Sequence, residues 1–197
     1  TSTGSYYFLG RPRRFGKSLL ISTLEAYFSG RRDLFEGLAV EKLEKDWVEY
    51  PIFHLDLNTR NYDSVEALKA ELNKHLEIWE KRYGDEFKDR ALEERFFQII
   101  EKAYNKTGQR VVILVDEYDK PLLQAIGNET LQDEYRIILK AFYSVLKTQD
   151  KYIRFAFLTG VTKFSKVSVF SDLNNLTDIS MSDEFQTICG ITDKEIH

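Results

Sequence analysis

A basic segment that ends in Gly-Lys-Ser, residues 10–18 (GRPRRFGKS), has the strongest chemical signature in the sequence. It follows a short aromatic run typical of a strand and precedes an amphipathic helical pattern, which is the position of a phosphate-binding loop. In the usual loop, G-x-x-x-x-G-K-[ST], backbone amides at a helix N-terminus surround the phosphates, the lysine reaches the β and γ oxygens, and the hydroxyl holds Mg²⁺. Gly16, Lys17 and Ser18 match this Walker A pattern, so the segment predicts nucleotide and magnesium binding.

This segment, the arginine loop, departs from the usual pattern at its start. The spacing places Arg11 at the first glycine position, and Gly10 lies one residue early. Four cations within residues 11–17 repel one another unless an anion lies among them, so we expect Arg13 or Arg14 to contact a phosphate. The alternative is a basic helix start with a chance Gly-Lys-Ser. The predicted nucleotide-binding residues are Gly10, Arg11, Pro12, Arg13, Arg14, Phe15, Gly16, Lys17, Ser18 and Leu19.

A second motif is the apolar run at residues 111–115 (VVILV), which ends in Asp116 and Glu117. A P-loop ATPase holds magnesium with an acid at the end of such a Walker B strand, because the carboxyl end of the strand lies beside the phosphate loop. We therefore predict Ser18 and Asp116 as metal ligands and Glu117 as the general base for the attacking water. An ordinary polar strand exit is the alternative. For Tyr118, Asp119 and Lys120, which continue the polar run, a structural role is an equal alternative.

Thr159 follows a further apolar run, residues 153–158 (IRFAFL). A polar residue at the end of the strand beside the acid-bearing one senses the γ-phosphate or holds the water, so Thr159 joins Lys17 and Glu117 in the predicted catalytic set. The alternative is a threonine that only caps its strand. Lys163 and Lys166 are either surface charges or further phosphate contacts.

Five strand-like runs and four helical stripes alternate along the chain and must position these residues. The strand candidates are residues 6–9, 52–57, 111–115, 153–158 and 176–180, and the apolar stripes lie within residues 19–28, 65–79, 92–103 and 131–146. Alternating strands and helices predict a three-layer α/β/α sandwich with a mostly parallel sheet of about five strands. We expect one core domain at residues 1–191, followed at 192–197 by the start of a truncated helical segment, because Thr192 and Glu195 form a capping box.

Composition excludes several other classes of protein. Twenty-eight Lys and Arg against 32 Asp and Glu give a net charge of −4, so any nucleic-acid contact must be local. One cysteine, Cys189, excludes an internal disulfide, and three scattered histidines lack metal-ligand spacing. No apolar run approaches the roughly 18 residues of a membrane span. We expect a cytoplasmic protein without membrane contact.

Three longer strings resemble the predicted AAA-ATPases of bacteria: YYFLGRPRRFGKSLLISTLEAYF, VVILVDEYDKPLL and FLTGVTKFSKVSVFSDLNNLTDIS. The resemblance implies a P-loop core of the additional-strand type, in which the strand of Asp116 is not adjacent to the strand that leads into the arginine loop. It also implies ATP rather than GTP, since no Asn-Lys-x-Asp guanine reader is present. Many members of that family carry a C-terminal domain similar to PD-(D/E)XK nucleases, which would lie outside this chain.

The residues and the resemblance together predict an Mg²⁺-dependent ATP-binding domain that hydrolyses ATP to drive or gate an appended domain or partner. An added arginine would complete the site, supplied by Arg13, Arg14 or a neighbouring subunit, and an oligomer is therefore left open. The alternatives are a nucleotide-gated scaffold with little turnover, a nucleic-acid module or ATPase coupled to a nuclease domain, and a kinase for a small substrate.

Overall fold

A computed structural model describes residues 5–84, 87–161, 169–171, 173 and 175–189 of the chain. Its centre is one sheet of five parallel strands in the order β2-β3-β4-β1-β5. The strands are β1 (Ser5–Gly10), β2 (Ile52–Asp56), β3 (Val111–Asp116), β4 (Ile153–Gly160) and β5 (Leu176–Asp178). The predicted α/β class is confirmed, and β4 separates β3 from β1 as the additional-strand arrangement requires.

The α-helices whose bounds lie within the described residues connect the strands. They are α1 (Lys17–Phe28), α2 (Ala39–Leu43), α3 (Val65–Tyr83), α4 (Leu92–Thr107), α5 (Lys120–Gln124) and α6 (Glu129–Thr148). The four long helices coincide with the predicted stripes, whereas α2 and α5 are too short to show a period. The N-cap of α3 is Ser64, whose Oγ accepts a hydrogen bond from the amide of Ala67 at 3.2 Å.

The helices lie on both faces of the sheet and form the outer two layers. Buried side chains of α3, α4 and α6 share one core cluster with one face, while Ile21 and Phe28 of α1 pack with Val112 and Leu114 on the other. Every residue of β3 is buried. A strand covered on both faces has no need of alternating polarity, which is why its sequence is continuously apolar.

Parallel pairing brings the ends of three strands to one edge of the sheet. Gly10 of β1 is in register with Gly160 of β4, and Leu9 with Thr159. Asp116, at the end of β3, lies beside the end of β4. The carboxyl ends of parallel strands are where ligands bind in open α/β sheets.

Two groups of sequence predictions lie outside the described residues, namely Lys163 with Lys166 and the segment 192–197. Within the described part, no helix combines the length and the apolar character needed to cross a membrane.

Candidate functional site

The arginine loop joins the end of β1 to the start of α1. Its first turn is held by β4, because the amide of Arg11 donates to the carbonyl of Gly160 at 3.1 Å. Arg14 and Gly16 adopt left-handed backbone conformations with φ of 66° and 80°. Gly16 takes this conformation without steric cost, which lets the chain turn directly into α1.

The N-terminus of α1 has features that favour a bound anion. No side chain caps it, and no acidic residue lies in its first turn. The first amides of a helix have no partners within the helix, and the helix dipole favours negative charge there. This end of α1 therefore offers N–H donors at the carboxyl edge of the sheet.

Lys17 is buried with its ammonium group fully engaged by the protein. Its Nζ donates to the carbonyls of Arg11 at 2.9 Å and Pro12 at 3.0 Å, and it lies 3.1 Å from Oε1 of Glu117. An ammonium has three N–H donors, so these three contacts satisfy it. The structure therefore joins Lys17 and Glu117, two members of the predicted catalytic set, through an ion pair.

Each carboxylate oxygen of Asp116 accepts a hydrogen bond from a side-chain hydroxyl. Ser18 donates to its Oδ2 at 2.5 Å, and Thr159 donates to its Oδ1 at 2.6 Å. Thr159 is completely buried, and its Oγ1 also accepts from the amide of Glu117 at 3.3 Å. Thr159 thus positions both acids of the site. Its role as a sensor of the γ-phosphate stays a prediction.

The residues present fit a magnesium ion. The Oγ of Ser18 and the Oδ2 of Asp116 are adjacent oxygen atoms at the start of α1. Mg²⁺ prefers oxygen ligands and is usually held by one or two protein groups together with phosphates and waters. Ser18 and Asp116 are the residues that would hold it.

A close contact between β4 and the turn after β3 sets the position of Glu117. Its backbone has a φ of 56°, and the next amide, that of Tyr118, donates to the carbonyl of Thr159 at 2.9 Å. A Cβ on Gly160 would overlap the ring of Tyr118, so only glycine fits there. The contact between β4 and the turn after β3 therefore depends on Gly160.

The three residues after Glu117 have structural contacts. Tyr118 is buried with its ring edge-on to Phe8. Asp119 accepts from the amide of Val161 at 3.0 Å, and Lys120 donates to the side chain of Asn58 at 2.7 Å.

A connection from the arginine loop to β5 was not foreseen from the sequence. The hydroxyl of Ser180 accepts from the amide of Gly10 at 2.7 Å and donates to Asp178 at 2.5 Å. The guanidinium of Arg11 donates to the carbonyl of Ser180. No local pattern reveals this contact, because it depends on which strand lies beside β1.

The four cations of the loop divide into two pairs. Lys17 and Arg11 are bound by the protein, whereas Arg13 and Arg14 are exposed and have no ion-pair partner within the described residues. The structure thus brings Lys17, Ser18, Asp116, Glu117 and Thr159 into one cluster and leaves Arg13 and Arg14 facing solvent. Contact between either arginine and a phosphate stays a prediction.

A model of the predicted AAA-ATPase family matches residues 1–170 of this chain. The chain belongs to the predicted AAA-ATPase family. This AAA-ATPase-like chain is also similar to a curated protein of Azotobacter chroococcum mcd 1, described as an uncharacterized protein in the vnfD 5' region. The two are 41% identical over 194 residues, which are 98% of this chain and 37% of that protein. The chain therefore spans little more than a third of the length of this relative. No solved structure matches the AAA-ATPase-like chain.

Proposed function

We propose that this AAA-ATPase-like chain binds ATP at the arginine loop and hydrolyses it. The observation that carries the proposal is the bond between Ser18 and Asp116, which joins a Gly-Lys-Ser helix start to an acid 98 residues later. A chance Gly-Lys-Ser would have no reason to meet the acid at the end of a buried strand. Membership of the predicted AAA-ATPase family supports the same function.

In the proposed reaction each residue acts through charge and position. The first amides of α1 bind phosphate oxygens, and Lys17 moves its ammonium from Glu117 and the loop carbonyls onto the β and γ phosphates. Magnesium held by Ser18 and Asp116 would offset charge on the phosphates. Glu117, released from Lys17, polarises the attacking water, while Thr159 keeps both acids in place.

Use of the hydrolysis to drive or gate an appended domain or partner is part of the proposal. It is supported by the length of the relative, of which this chain covers 37%. A nucleotide-gated scaffold is the second candidate. The Lys17–Glu117 ion pair favours it as well, because a contact that ATP breaks is a switch even without turnover.

Two measurements separate the candidates. Calorimetric titration with ATP and Mg²⁺ tests binding, with Lys17→Ala as the variant expected to lose affinity and Lys42→Ala on α2 as the matched surface control. Single-turnover assays with radiolabelled ATP test the chemistry. Glu117→Gln should retain binding and slow hydrolysis by roughly 10²-fold or more, the scale of a lost general base. Unchanged affinity in Lys17→Ala would exclude the proposed site, and binding without turnover in the unmodified chain would favour the scaffold.

A further inference from the structure

A cavity of about 210 Å³ lies at the end of α1 that is far from the arginine loop. The helix has 12 residues, so about 18 Å separates its two ends. None of the described residues that line this cavity belongs to the proposed nucleotide site. Its volume is below the roughly 300 to 1,000 Å³ of sites for drug-sized ligands, so the cavity fits a smaller molecule.

Aromatic side chains form much of the cavity lining. They are Tyr27, Phe28, Trp47 and Tyr50. The ring centroids of Tyr27 and Trp47 lie 5.7 Å apart, and those of Phe28 and Tyr50 lie 5.8 Å apart, both in edge-to-face arrangements. The faces of aromatic rings attract cations, and groups of such rings bind alkylated ammonium ions. The aromatic lining therefore favours an alkylated ammonium group.

Two carboxylates, those of Glu44 and Asp46, line the same cavity. Oε2 of Glu44 accepts a hydrogen bond from the hydroxyl of Tyr27. Oε1 of Glu44 accepts from the amides of Lys45 at 3.0 Å and Asp46 at 3.2 Å. The hydrogen bond from Tyr27 lowers the pKa of the Glu44 carboxyl, so this group is charged at neutral pH. Negative charge beside aromatic rings favours a cationic group in the cavity.

Two donors of the cavity lining have no hydrogen bond or ion pair within the part of the chain that the structure describes. One is Nε1 of Trp47, which is buried. The other is the guanidinium of Arg154, the second residue of β4. A buried N–H without a partner is unfavourable, and a ligand that accepts from it recovers that loss. A carboxylate has enough acceptor sites to bind both donors.

Contacts with the end of α1 fix the segment that carries Trp47. Trp47 has a φ of 41°, a left-handed conformation that strains a bulky residue. Such strain persists only where the surrounding structure holds it, and it clusters at ligand sites. A Cβ on Gly30 would lie 2.7 Å from the carbonyl oxygen of Trp47, and the amide of Tyr50 donates to the carbonyl of Phe28 at 2.9 Å. A lining that is already ordered lowers the entropic cost of binding a ligand.

We infer that this cavity binds a small zwitterion with an alkylated ammonium group and a carboxylate, such as a betaine. The ammonium group would lie among the aromatic rings, beside Glu44 and Asp46. The carboxylate would accept from Arg154 and from Nε1 of Trp47. A simple cation would leave both donors unpaired, and a simple anion would meet two carboxylates, so a ligand with both charges fits best. Because the residues differ from those of the nucleotide site, the inference is independent of the proposed function.

Tryptophan fluorescence and calorimetry test the inference with glycine betaine as the probe. The sequence has two tryptophans, Trp47 and Trp79, so Trp79→Phe makes Trp47 the only reporter, and calorimetry repeats the titration on the unmodified chain. Betaine should change the emission of Trp47 saturably at roughly millimolar concentration. Tetramethylammonium lacks the carboxylate, acetate lacks the ammonium group, and 3,3-dimethylbutyrate replaces the charged nitrogen with carbon. Each should bind at least about tenfold more weakly, the scale of one lost interaction with a charged group.

Variants of the lining provide the second arm of the test, with calorimetry as the readout. Trp47→Phe retains an aromatic ring and removes the N–H, so it should weaken betaine about tenfold and leave the affinity for tetramethylammonium unchanged. Arg154→Gln should act in the same way. Asp46→Asn should weaken both ligands, because it removes a charge beside the ammonium group. Arg90→Gln, at an exposed position before α4, is the matched control and should leave both affinities unchanged.

Several outcomes would overturn the inference. No fluorescence or heat response up to about 10 mM betaine would show that the cavity holds water only. Equal affinities for betaine and 3,3-dimethylbutyrate would show that the ammonium charge is not recognised, and equal affinities for betaine and tetramethylammonium would show the same for the carboxylate. Unchanged betaine affinity in both Trp47→Phe and Arg154→Gln would place the bound betaine elsewhere. ATP binding is measured separately, so none of these results bears on the proposed function.

Discussion

The Nζ of Lys17 lies 3.1 Å from Oε1 of Glu117, so the residues predicted to neutralise phosphate and to activate water are bound to each other. The ammonium group lowers the basicity of the Glu117 carboxylate while the ion pair is intact. The arrival of phosphate at Lys17 would therefore also free the general base. In the proposed reaction, nucleotide binding would therefore come before activation of the water.

We expect Lys17→Ala to destabilise the nucleotide-free protein. Both partners are largely buried, with side-chain exposures of 3% for Lys17 and 11% for Glu117. Removing one member of a buried ion pair leaves the other uncompensated and costs about 3 kcal/mol. The free energy of unfolding in urea measures this cost.

The double variant Lys17→Ala with Glu117→Gln is the control for that experiment. It removes the stranded carboxylate, so its loss of stability should be smaller than that of Lys17→Ala alone. Equal losses in the single and double variants would show that the stranded carboxylate of Glu117 costs no stability.

Ser180→Ala should weaken nucleotide affinity although Ser180 lies outside the nucleotide-binding residues predicted from the sequence. The substitution removes the acceptor of the half-buried Gly10 amide and the donor to Asp178, and loss of one such hydrogen bond costs about 1 kcal/mol. The contact of Arg11 with the backbone carbonyl of Ser180 then remains as the link between the arginine loop and the segment that follows β5. Calorimetry with ATP and Mg²⁺ measures the affinity. Ser182→Ala is the matched control, since its hydroxyl has no hydrogen bond within the described residues.

Gly160→Ala, a substitution at the end of β4, should shift the position of Glu117. The added methyl group would overlap the ring of Tyr118, and side-chain overpacking costs about 1 to 3 kcal/mol. Because the Tyr118 amide is bound to the carbonyl of Thr159, the shift reaches Glu117. We expect a lower melting temperature together with slower hydrolysis. A variant with normal stability and normal turnover would contradict the tight contact.

His75 should make the stability of the fold depend on pH. Burial lowers the pKa of His75, although the carboxylate of Glu71 nearby opposes the shift. Below the unfolded pKa of about 6.5 the unfolded chain binds more protons than the folded one, so stability decreases as the pH falls from 7 to 5. The slope from one group is at most about 1.4 kcal/mol per pH unit. Urea unfolding at several pH values measures it, and His75→Gln should give a shallower slope.

The main elements of the site could be predicted because their causes are local. A continuously apolar strand that ends in Asp116 indicates a buried parallel strand, and the strand-loop-helix order places Lys17 and Ser18 at the edge of the sheet. Parallel strands bring such ends together, and the structure shows Ser18 bonded to Asp116.

The missed features depend on tertiary contacts that no periodicity reports. The position of β5 beside β1 places Ser180 where its hydroxyl accepts from the amide of Gly10 and its carbonyl accepts from the guanidinium of Arg11. The cleft beside the arginine loop is formed where residues 187–189 lie opposite α1, which is far earlier in the chain. The lengths of α2 and α5, at five residues each, give too few turns for a helical period.

The pairing of β1 delays its incorporation into the sheet while the chain is being synthesised. Ser5 pairs with Phe155, roughly 150 residues later, and the other neighbour of β1 is the still later β5. At a synthesis rate of about 5 to 20 residues per second, the first partner of β1 is made on the order of 10 to 30 s after β1 itself. Throughout that time an aromatic strand has both edges unpaired, which is a template for association with other chains. We expect β1 to be the segment of the nascent chain that chaperones must cover.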